Sequence, residues 1–416
     1  MGATGAVSPS TTAVITGMGI VAPTGISIDE HWQSVLAGKS AISRITRFDP
    51  AGYPVRLAGE VHGFEAREQV PRKLVPQTDR WTHLALFGAE AALADAGIDP
   101  AEVGEYEMAV VTSSSSGGTE FGQREISALW DEHPSHVGAY QSIAWFYAAT
   151  TGQVSIRHGM RGPCGVVCAE QAGGLDALAQ ARRLLRTGSR VVVSGGTDAS
   201  LCPYGLVAQL STGLLSAAAD PARAYLPFDS EATGFVPGEG GAILVVEDAG
   251  SARARGAGAG YGRILGHAAG FDPPPGSGRE PALRRVIAAA LADARVEPSA
   301  VDVVFADAMG VPEHDLAEAA ALAAVFGPNA VPVTAAPKTM TGRLYGGGAA
   351  LDVATALLAL RDGIVPHTGG VGRTAPQYQI DLVRDQPRER AMRIALVLAR
   401  GYGGFASALV LGAPAA

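Results

Sequence analysis

The residues around position 171 form a turn of the kind that presents a reactive side chain. Residues 168–178 read CAEQAGGLDAL, a short glycine-rich turn that leads into an apolar helix. A helix N-terminus carries a partial positive charge and lowers the pKa of a cysteine placed there. The residue present is Gln171, and an amide has no ionisable proton and no useful nucleophilicity at neutral pH. The turn therefore has the surroundings that would activate a nucleophile, but the residue at position 171 is not one.

Two charged residues in the second half of the chain have comparable settings. Asp307 follows the apolar strand VDVVFA, and Arg343 precedes the glycine-rich helix start GGGAALD. In open parallel sheets, ligands bind at the carboxyl ends of strands, close to the starts of the following helices. We therefore expect Gln171, Asp307 and Arg343 to lie near one site.

The elements that would position these residues occur twice. Residues 91–103 (AALADAGIDPAEV) and 289–301 (AALADARVEPSAV) each end an Ala-rich helix and lead into a β-rich strand. Residues 175–188 and 351–363 are both Gly-preceded helices that end in a basic residue and a Gly. Because both pairs occur in the same order, we predict an internal duplication of two α/β halves, each with a βαβ-type parallel sheet.

The boundary between the halves is predicted in residues 247–262, EDAGSARARGAGAGYG, which are rich in Gly and Ala. This boundary divides the chain into an N-terminal half, residues 1–252, and a C-terminal half, residues 253–416. The expected architecture is a layered α-β-α-β-α core.

Composition excludes several classes of function. The net charge of −8 and the pI near 5.6 argue against nucleic acid or an anionic membrane as the main partner. No apolar run approaches the roughly 20 residues of a membrane span, and no basic residue precedes Lys39, as a signal peptide would require. The three cysteines form neither a disulfide framework nor a paired metal motif. We expect a soluble, cytoplasmic protein that binds no metal.

Motifs along nearly the whole chain resemble the β-ketoacyl synthases of the thiolase superfamily. The matching segments, in order, are ITGMGIVAPTG, GMRGPCG, GLDAL, PFDSEATGFVPGEGGAILVVE, KTMTGRLYGGG and ARGYGGFASALVL. This resemblance implies a thiolase-like fold and, in active members, a Cys nucleophile with two His. By motif position, these three residues are replaced here by Gln171, Asp307 and Arg343, whereas the motif lysine is kept as Lys338. We call Gln171, Asp307 and Arg343 the former catalytic positions.

The pattern of losses resembles one group within that family, the chain length factors, or ketosynthase β subunits, of bacterial type II polyketide synthases. CAEQAGGLDALAQARR, GRLYGGG and VFADAMGVPE carry this resemblance. It implies a heterodimer with a catalytic ketosynthase α subunit, which condenses malonyl units delivered on the phosphopantetheine of an acyl carrier protein. The β subunit would bind no cofactor itself and would limit the length of the poly-β-ketone in a shared tunnel.

Two alternatives remain open. Loading ketosynthases also carry Gln at this position, so Gln171 would allow a malonyl-carrier decarboxylase that makes the acetyl primer. The other alternative is a structural partner with no effect on length. We expect Gln171 to be a structural plug whose amide hydrogen-bonds backbone groups, and Asp307 and Arg343 to form an ion pair rather than a catalytic dyad.

The resemblance also assigns residues to the tunnel. Residues 117–130, GGTEFGQREISALW, match the interface helix of the family, and the residues carried over are Thr119, Gly122 and Ile126, with Tyr204 and Leu206 opposite. Helical spacing places the first three on one stripe, which is alternatively ordinary interface core. Because a Thr and a Gly leave the channel deep, we expect a long product.

Other candidate residues have simpler interpretations. Cys168 belongs to an apolar strand, so we expect a buried thiol, and we expect His314 on the surface and not catalytic. The arginines following the turn are candidates for carrier protein contact, but a solvated helix face is favoured. The aromatic cluster lies near the family's dimer interface and is alternatively core. These two groups are Arg182, Arg183 and Arg186, and Trp145, Phe146 and Tyr147.

Overall fold

The computed structural model describes residues 12–274 and 276–414. Within them, ten strands form one sheet. These are β1 Ala13–Val21, β2 Met108–Ser113, β3 Cys164–Val167, β4 Val191–Asp198, β5 Gly240–Asp248, β6 Gly262–Phe271, β7 Val303–Phe305, β8 Val333–Ala335, β9 Ile394–Gly401 and β10 Phe405–Gly412. Two small two-stranded sheets pair Ile42–Arg44 with Leu57–Gly59, and Ile364–Val365 with Arg388–Glu389.

The order of the strands repeats between the two halves. Across the sheet it is β3-β2-β4-β5-β1 and then, from the other edge, β8-β7-β9-β10-β6. In each half the first three strands in this order are parallel and the last two pairings are antiparallel. The predicted duplication is therefore confirmed by topology, but each half is a mixed sheet rather than a parallel one. The halves meet where β1 pairs antiparallel with β6.

Helices connect and cover the strands. Those of at least eight residues are α1 Ile28–Leu36, α2 Arg80–Asp95, α3 Thr119–Ser127, α4 Ala149–Arg157, α5 Gly173–Arg186, α6 Pro203–Leu210, α7 Leu283–Ala294, α8 Pro312–Phe326 and α9 Gly348–Asp362. Shorter helices are Ala66–Gln69, Gln141–Ala144 and Ala249–Ala254. The last lies in the predicted boundary segment between β5 and β6.

The two repeated helices of the sequence, α5 and α9, pack against each other and against strands of both halves, which makes them the middle layer. Every residue of α9 from Gly348 to Leu360 is buried, as expected for a helix that is apolar on all sides. Small residues allow the close approach, since a Cβ added at Gly174 would lie 2.7 Å from the backbone N of Ala350. Helices α2 and α7, which form the other repeat, cover the outer faces.

None of the helices in the described ranges is both long enough and apolar enough to cross a membrane.

Candidate functional site

The turn that carries Gln171 lies between β3 and α5. Residues Glu170–Ala172 form a single 3-10 turn, in which Glu170 has a left-handed backbone with φ of 49°. A non-glycine residue adopts this conformation only at a cost in strain. The side chain of Gln171 is buried against α9, because a Cβ added at Gly348 would lie 2.4 Å from the Gln171 Nε2. The turn thus places Gln171 at the N-termini of both central helices.

The buried position of Gln171 agrees with its expected role as a plug. The prediction that backbone groups hydrogen-bond its amide oxygen is wrong. The Oε1 atom finds no hydrogen-bond partner among the described residues. It lines a void of about 10 Å³ together with Lys338 and Asp352, and about 10–15 Å³ is the least that holds one water molecule. The amide fills space between α5 and α9 and is not held by backbone donors.

Asp307 and Arg343 form the expected ion pair. Arg343 Nη2 lies 3.0 Å from Asp307 Oδ1, and both side chains are at most 1% exposed. Arg343 also donates from Nη1 to the Asp307 carbonyl oxygen at 3.3 Å and from Nη2 to the Arg400 carbonyl oxygen. Its guanidinium lies 5.4 Å from the centroid of the Phe235 ring. Arg343 therefore has these four contacts within the chain, three hydrogen bonds and one cation–π contact.

A second arginine, which the sequence did not indicate, completes the pair. Arg400 lies at the end of β9, and its Nε is 3.1 Å from Asp307 Oδ2 while its Nη2 is 3.2 Å from Glu318 Oε2. Glu318 in turn accepts hydrogen bonds from the backbone N–H groups of Asp307 and Ala308. Two carboxylates and two guanidiniums thus alternate in the buried network.

The network determines the charge at the former catalytic positions. Burial alone would raise the pKa of Asp307, but Arg343, Arg400 and Lys338 outweigh it and hold that pKa well below the usual value. Burial opposes the charge of Arg343, yet Asp307 and Glu170 raise the pKa of the guanidinium above its ordinary value. Asp307 and Arg343 both stay ionised, so neither exchanges a proton near neutral pH.

The side chain of the retained Lys338 contacts two parts of the fold. Its Nζ donates to the carbonyl oxygens of Ala306 and Asp307 at 2.7 and 3.1 Å. The same atom lies 2.8 Å from Asp352 Oδ2 on α9. Lys338 therefore ties the end of β7 to the middle layer.

A cavity of about 330 Å³ opens beside these residues. Its lining residues come from several elements and include one of the former catalytic positions. They are Ser115, Ser116, Thr119, Cys168, Glu170, Ser200, Gly205, Ala208, Gln209, Thr212, Leu214, Phe235, Met309, Arg343, Tyr345, Tyr402 and Phe405. Gln171 is not among them, so the cavity and the Gln171 amide are separate.

Of the predicted tunnel residues, Thr119 lines this cavity. Gly122 is buried beneath Trp145, whose Cδ1 would lie 2.9 Å from an added Cβ. Ile126 and Tyr204 are 40% and 45% exposed on the surface. Leu206 is fully buried in a hydrophobic cluster of the core, where it does not reach the cavity. The channel role of these residues stays a prediction about a complex of two subunits.

Two other expectations are corrected. Cys168 is exposed and lines the cavity, because β3 is the edge strand of the sheet and ends before this residue. Burial of part of its surface raises the pKa of the Cys168 thiol, as does the nearby Asp198. His314 is half-buried rather than on the surface, and its carbonyl oxygen accepts a hydrogen bond from Arg400.

The arginines of α5 do not share one solvated face. Arg182 is 9% exposed and lies 2.5 Å from Asp293 of α7, so it joins two helices. Arg183 is exposed. The aromatic cluster is not core in this chain, since the exposed fractions of Trp145, Phe146 and Tyr147 are 48%, 51% and 48%.

At the former catalytic positions, the described residues place no nucleophile beside a base. Gln171 is buried and not ionisable, and the two positions opposite it hold a closed ion pair. A ketosynthase condensation needs a thiolate and neutral donors for the developing oxyanion. The former catalytic positions therefore hold a buried amide and a buried ion pair in place of these groups.

Comparison with known proteins identifies the family of this chain. Residues 11–252 match the family model of the beta-ketoacyl synthase N-terminal domain, and residues 261–371 match that of the C-terminal domain. The chain belongs to the β-ketoacyl synthase family. Among solved structures, it is similar to a beta-ketoacyl synthase from Burkholderia phymatum, with a TM-score of 0.89, 25% identity and coverage of 97% of this chain and 100% of that one.

Within the family, the chain groups with the ketosynthase β subunits, or chain length factors. It is 61% identical over 399 residues to the tetracenomycin polyketide synthase ketoacyl synthase beta subunit of Streptomyces glaucescens, covering 96% of this chain and 97% of that protein. It is 54% identical to the actinorhodin polyketide putative beta-ketoacyl synthase 2 of Streptomyces coelicolor, covering 96% and 98%. The ishigamide ketosynthase/chain length factor superposes with a TM-score of 0.88 at 27% identity over 97% of this chain and 100% of that one.

Proposed function

We propose that this chain is a non-catalytic chain length factor, which pairs with a ketosynthase α subunit and limits the length of a poly-β-ketone. The observation that carries the proposal is the state of the former catalytic positions. Gln171 is enclosed, and Asp307 and Arg343 neutralise each other. The condensing thiol must then come from a partner, which takes malonyl units from the phosphopantetheine of an acyl carrier protein.

Two surface features support a protein partner. Strand β3 is an edge of the large sheet, and the backbone groups of an edge strand are open to further pairing. The exposed aromatic residues Trp145, Phe146 and Tyr147 and the neighbouring Ile143 form an apolar surface. Apolar surface of this kind marks protein interfaces in soluble proteins.

The cavity supports the effect on length. Thr119 lies at the start of α3 and lines the cavity, whereas the side chains of Ile126 and Tyr204 are exposed on the surface. A channel built by both subunits would pass these residues, and its depth would depend on their size. Larger side chains at Thr119 or Gly122 would then stop elongation earlier.

The alternative of a malonyl-carrier decarboxylase has less support. A decarboxylase acting through Gln171 needs the substrate to reach the amide, but Gln171 lies outside the cavity and is 1% exposed. Three N–H groups of Arg343 are already bound by Asp307 and the Arg400 carbonyl oxygen, and the charges of Asp307 and Glu170 offset its own, so Arg343 is a weak binding group for a substrate carboxylate.

The test is reconstitution of the complex with an α subunit, the carrier protein and malonyl groups, followed by mass spectrometry of the products. We expect Thr119→Phe and Gly122→Phe to shorten the product and Gln171→Ala to leave priming intact. Gly258→Phe is the matched control, because a Cβ added at Gly258 meets no atom within 4 Å.

Each outcome separates the three functions. Loss of priming in Gln171→Ala identifies a decarboxylase. Products of unchanged length in both Phe variants, with the heterodimer intact by size-exclusion chromatography, identify a partner that has no effect on length and refute the proposal.

A further inference from the structure

The wall of the cavity presents a negative charge. Two of its described lining residues carry charged side chains, Glu170 and Arg343. The side chain of Arg343 is 1% exposed, whereas that of Glu170 is 16% exposed. Burial and the nearby Asp198 raise the pKa of the Cys168 thiol, which also lines the cavity, so this thiol is neutral. A ligand that enters the cavity therefore meets the carboxylate of Glu170 rather than the guanidinium.

The turn before α5 fixes the Glu170 carboxylate at the cavity wall. The left-handed backbone of Glu170, with φ of 49°, is strained, and functional sites are the usual place for such strain. Its Oε2 accepts a hydrogen bond from the N–H of Tyr402 at 2.8 Å. The end of β9 packs on the same turn, since a Cβ added at Gly401 would lie 2.3 Å from the carbonyl oxygen of Ala169. Two segments that are distant in the chain thus hold this side chain.

The neighbours of Glu170 favour its ionised form. Burial raises the pKa of Glu170, and this effect is opposed by Arg343 and by the backbone N–H groups of Tyr402 and Gln171. The Arg343 Nε lies 3.8 Å from Glu170 Oε1, which is beyond hydrogen-bond distance. Arg343 is also paired with Asp307 at 3.0 Å. Because one guanidinium is shared by two carboxylates, Glu170 keeps part of its negative charge.

A malonyl group has no productive use in this cavity. The cavity opens to the surface of the chain, because Tyr402 lines it and is 62% exposed. Condensation needs a thiolate and neutral donors, but the former catalytic positions hold a buried amide and a buried ion pair. Malonyl ends in a carboxylate, and like charges placed close together in a protein repel each other strongly. An acetyl group or a poly-β-ketone carries no such charge.

We infer that Glu170 is a specificity-determining residue, which excludes malonyl and other acyl groups that end in a carboxylate from the cavity of this chain. The inference rests on the proposed function and deepens it, because it explains how extender units reach only the subunit that carries the condensing thiol. Glu170 acts by its charge and does not react with the acyl group.

The test measures the binding of two matched ligands to the heterodimer by titration calorimetry. The anionic ligand is malonyl-pantetheine with an amide in place of the thioester, and the neutral ligand has a carboxamide in place of the carboxylate. We expect Glu170→Gln to gain a site that binds the anionic ligand about tenfold more tightly than the wild type does, the loss of one like-charge repulsion. The affinity for the neutral ligand should stay the same.

Two variants serve as controls. Glu170→Asp keeps the negative charge and should still exclude the anionic ligand. Glu313→Gln removes an exposed carboxylate that does not line the cavity, so it should change neither affinity. The binding site of the partner subunit contributes equally in every variant. The amide of Glu170→Gln retains an oxygen that accepts the Tyr402 N–H, so we expect the variant heterodimer to assemble.

Product formation gives an independent measurement. An excess of malonyl-carrier protein should inhibit the Glu170→Gln heterodimer and not the wild type, because unproductive binding then competes with delivery to the partner. Unchanged affinity for the anionic ligand in Glu170→Gln overturns the inference. An equal gain for both ligands overturns it as well, since it shows a wider cavity instead of a lost repulsion, and so does a failure of the variant to assemble. If Thr119→Phe still shortens the product in these cases, the proposed function stands without this role of Glu170.

Discussion

Removing Arg343 tests whether the former catalytic positions now stabilise the fold. In Arg343→Met, Asp307 keeps Arg400 but loses the cation 3.0 Å from its Oδ1, and Glu170 loses its nearest cation. Breaking a buried ion pair by removing one partner costs about 3–5 kcal/mol. With an unfolding entropy of about 2.1 cal/mol/K per residue over 416 residues, this cost lowers the Tm by about 3–6 °C.

The assay is a thermal scan of the purified heterodimer at one scan rate, with Arg388→Met as the control. Arg388 pairs with Asp381 on the surface at 2.7 Å, with 44% and 53% of the two side chains exposed. An exposed pair contributes about 0–1 kcal/mol, so the control should change the Tm by no more than about 1 °C. If Arg343→Met falls within the range of the control, the ion pair is not structural.

The pH dependence of the same network has a defined sign. The folded-state pKa of Asp307 lies below its ordinary value, because Arg343, Arg400 and Lys338 outweigh the effect of burial. A depressed carboxyl pKa gives stability that is present above the unfolded pKa and is lost as pH falls through the folded value. The Tm difference between the wild type and Asp307→Asn should therefore stay constant between about pH 5 and pH 8 and shrink only in stronger acid. A difference that declines already near neutral pH contradicts this assignment.

Three further predictions concern other groups. Gly348→Ala should destabilise the protein by about 1–3 kcal/mol, as overpacking does, because the new Cβ would lie 2.4 Å from the Gln171 amide. The double variant with Gln171→Ala should recover most of that loss, and no recovery in Tm would contradict the role of Gln171 as a plug. Burial raises the pKa of Asp198 to about 7, so its ionisation disfavours the folded state as pH rises from about 4 to about 7. The Tm of Asp198→Asn relative to that of the wild type should therefore rise over this pH interval. A Tm difference that does not change with pH argues against the raised pKa. Cys168 should react with a maleimide in the isolated chain and be protected in the heterodimer, as peptide mass spectrometry would show; equal labelling in both would place the edge of β3 outside the interface.

Local patterns in the sequence were enough to predict the duplication and the replaced residues. The repeated segments 91–103 and 289–301 contain the ends of α2 and α7. These helices lead into β2 and β7, which have equivalent positions in the two halves of the sheet. Motif spacing located Asp307 and Arg343, and opposite charges at facing positions predicted their pairing. The antiparallel pairings had no such signal, since an apolar strand reads the same in either direction.

What the sequence could not show depends on contacts between distant segments. Arg400 reaches Asp307 across 93 positions of the chain, and nothing in the local motif distinguishes it from a surface arginine. The exposure of Cys168 follows from the edge position of β3, which is a property of strand order. Likewise, Leu206 lies on the same helix, α6, as the exposed Tyr204, but its side chain is buried in the core. Which of the two residues is buried depends on the orientation of α6. The apolar pattern of this helix is too short to predict that orientation from the sequence.

The three replacements have different physical consequences, and together they explain why one reversal would not restore a ketosynthase. A cysteine in place of Gln171 would again lie at a helix N-terminus, which favours a thiolate. Asp307 would still present an ionised carboxylate where the reaction needs a neutral donor. A histidine at Asp307 would leave Arg343 and Arg400 buried without their shared anion, which costs several kcal/mol. Because Asp307 lies between Arg343 and Arg400, and Arg400 also pairs with Glu318, the charge network opposes each single step back to catalysis. Under the proposed function, this opposition keeps the subunit dependent on a partner for the chemistry.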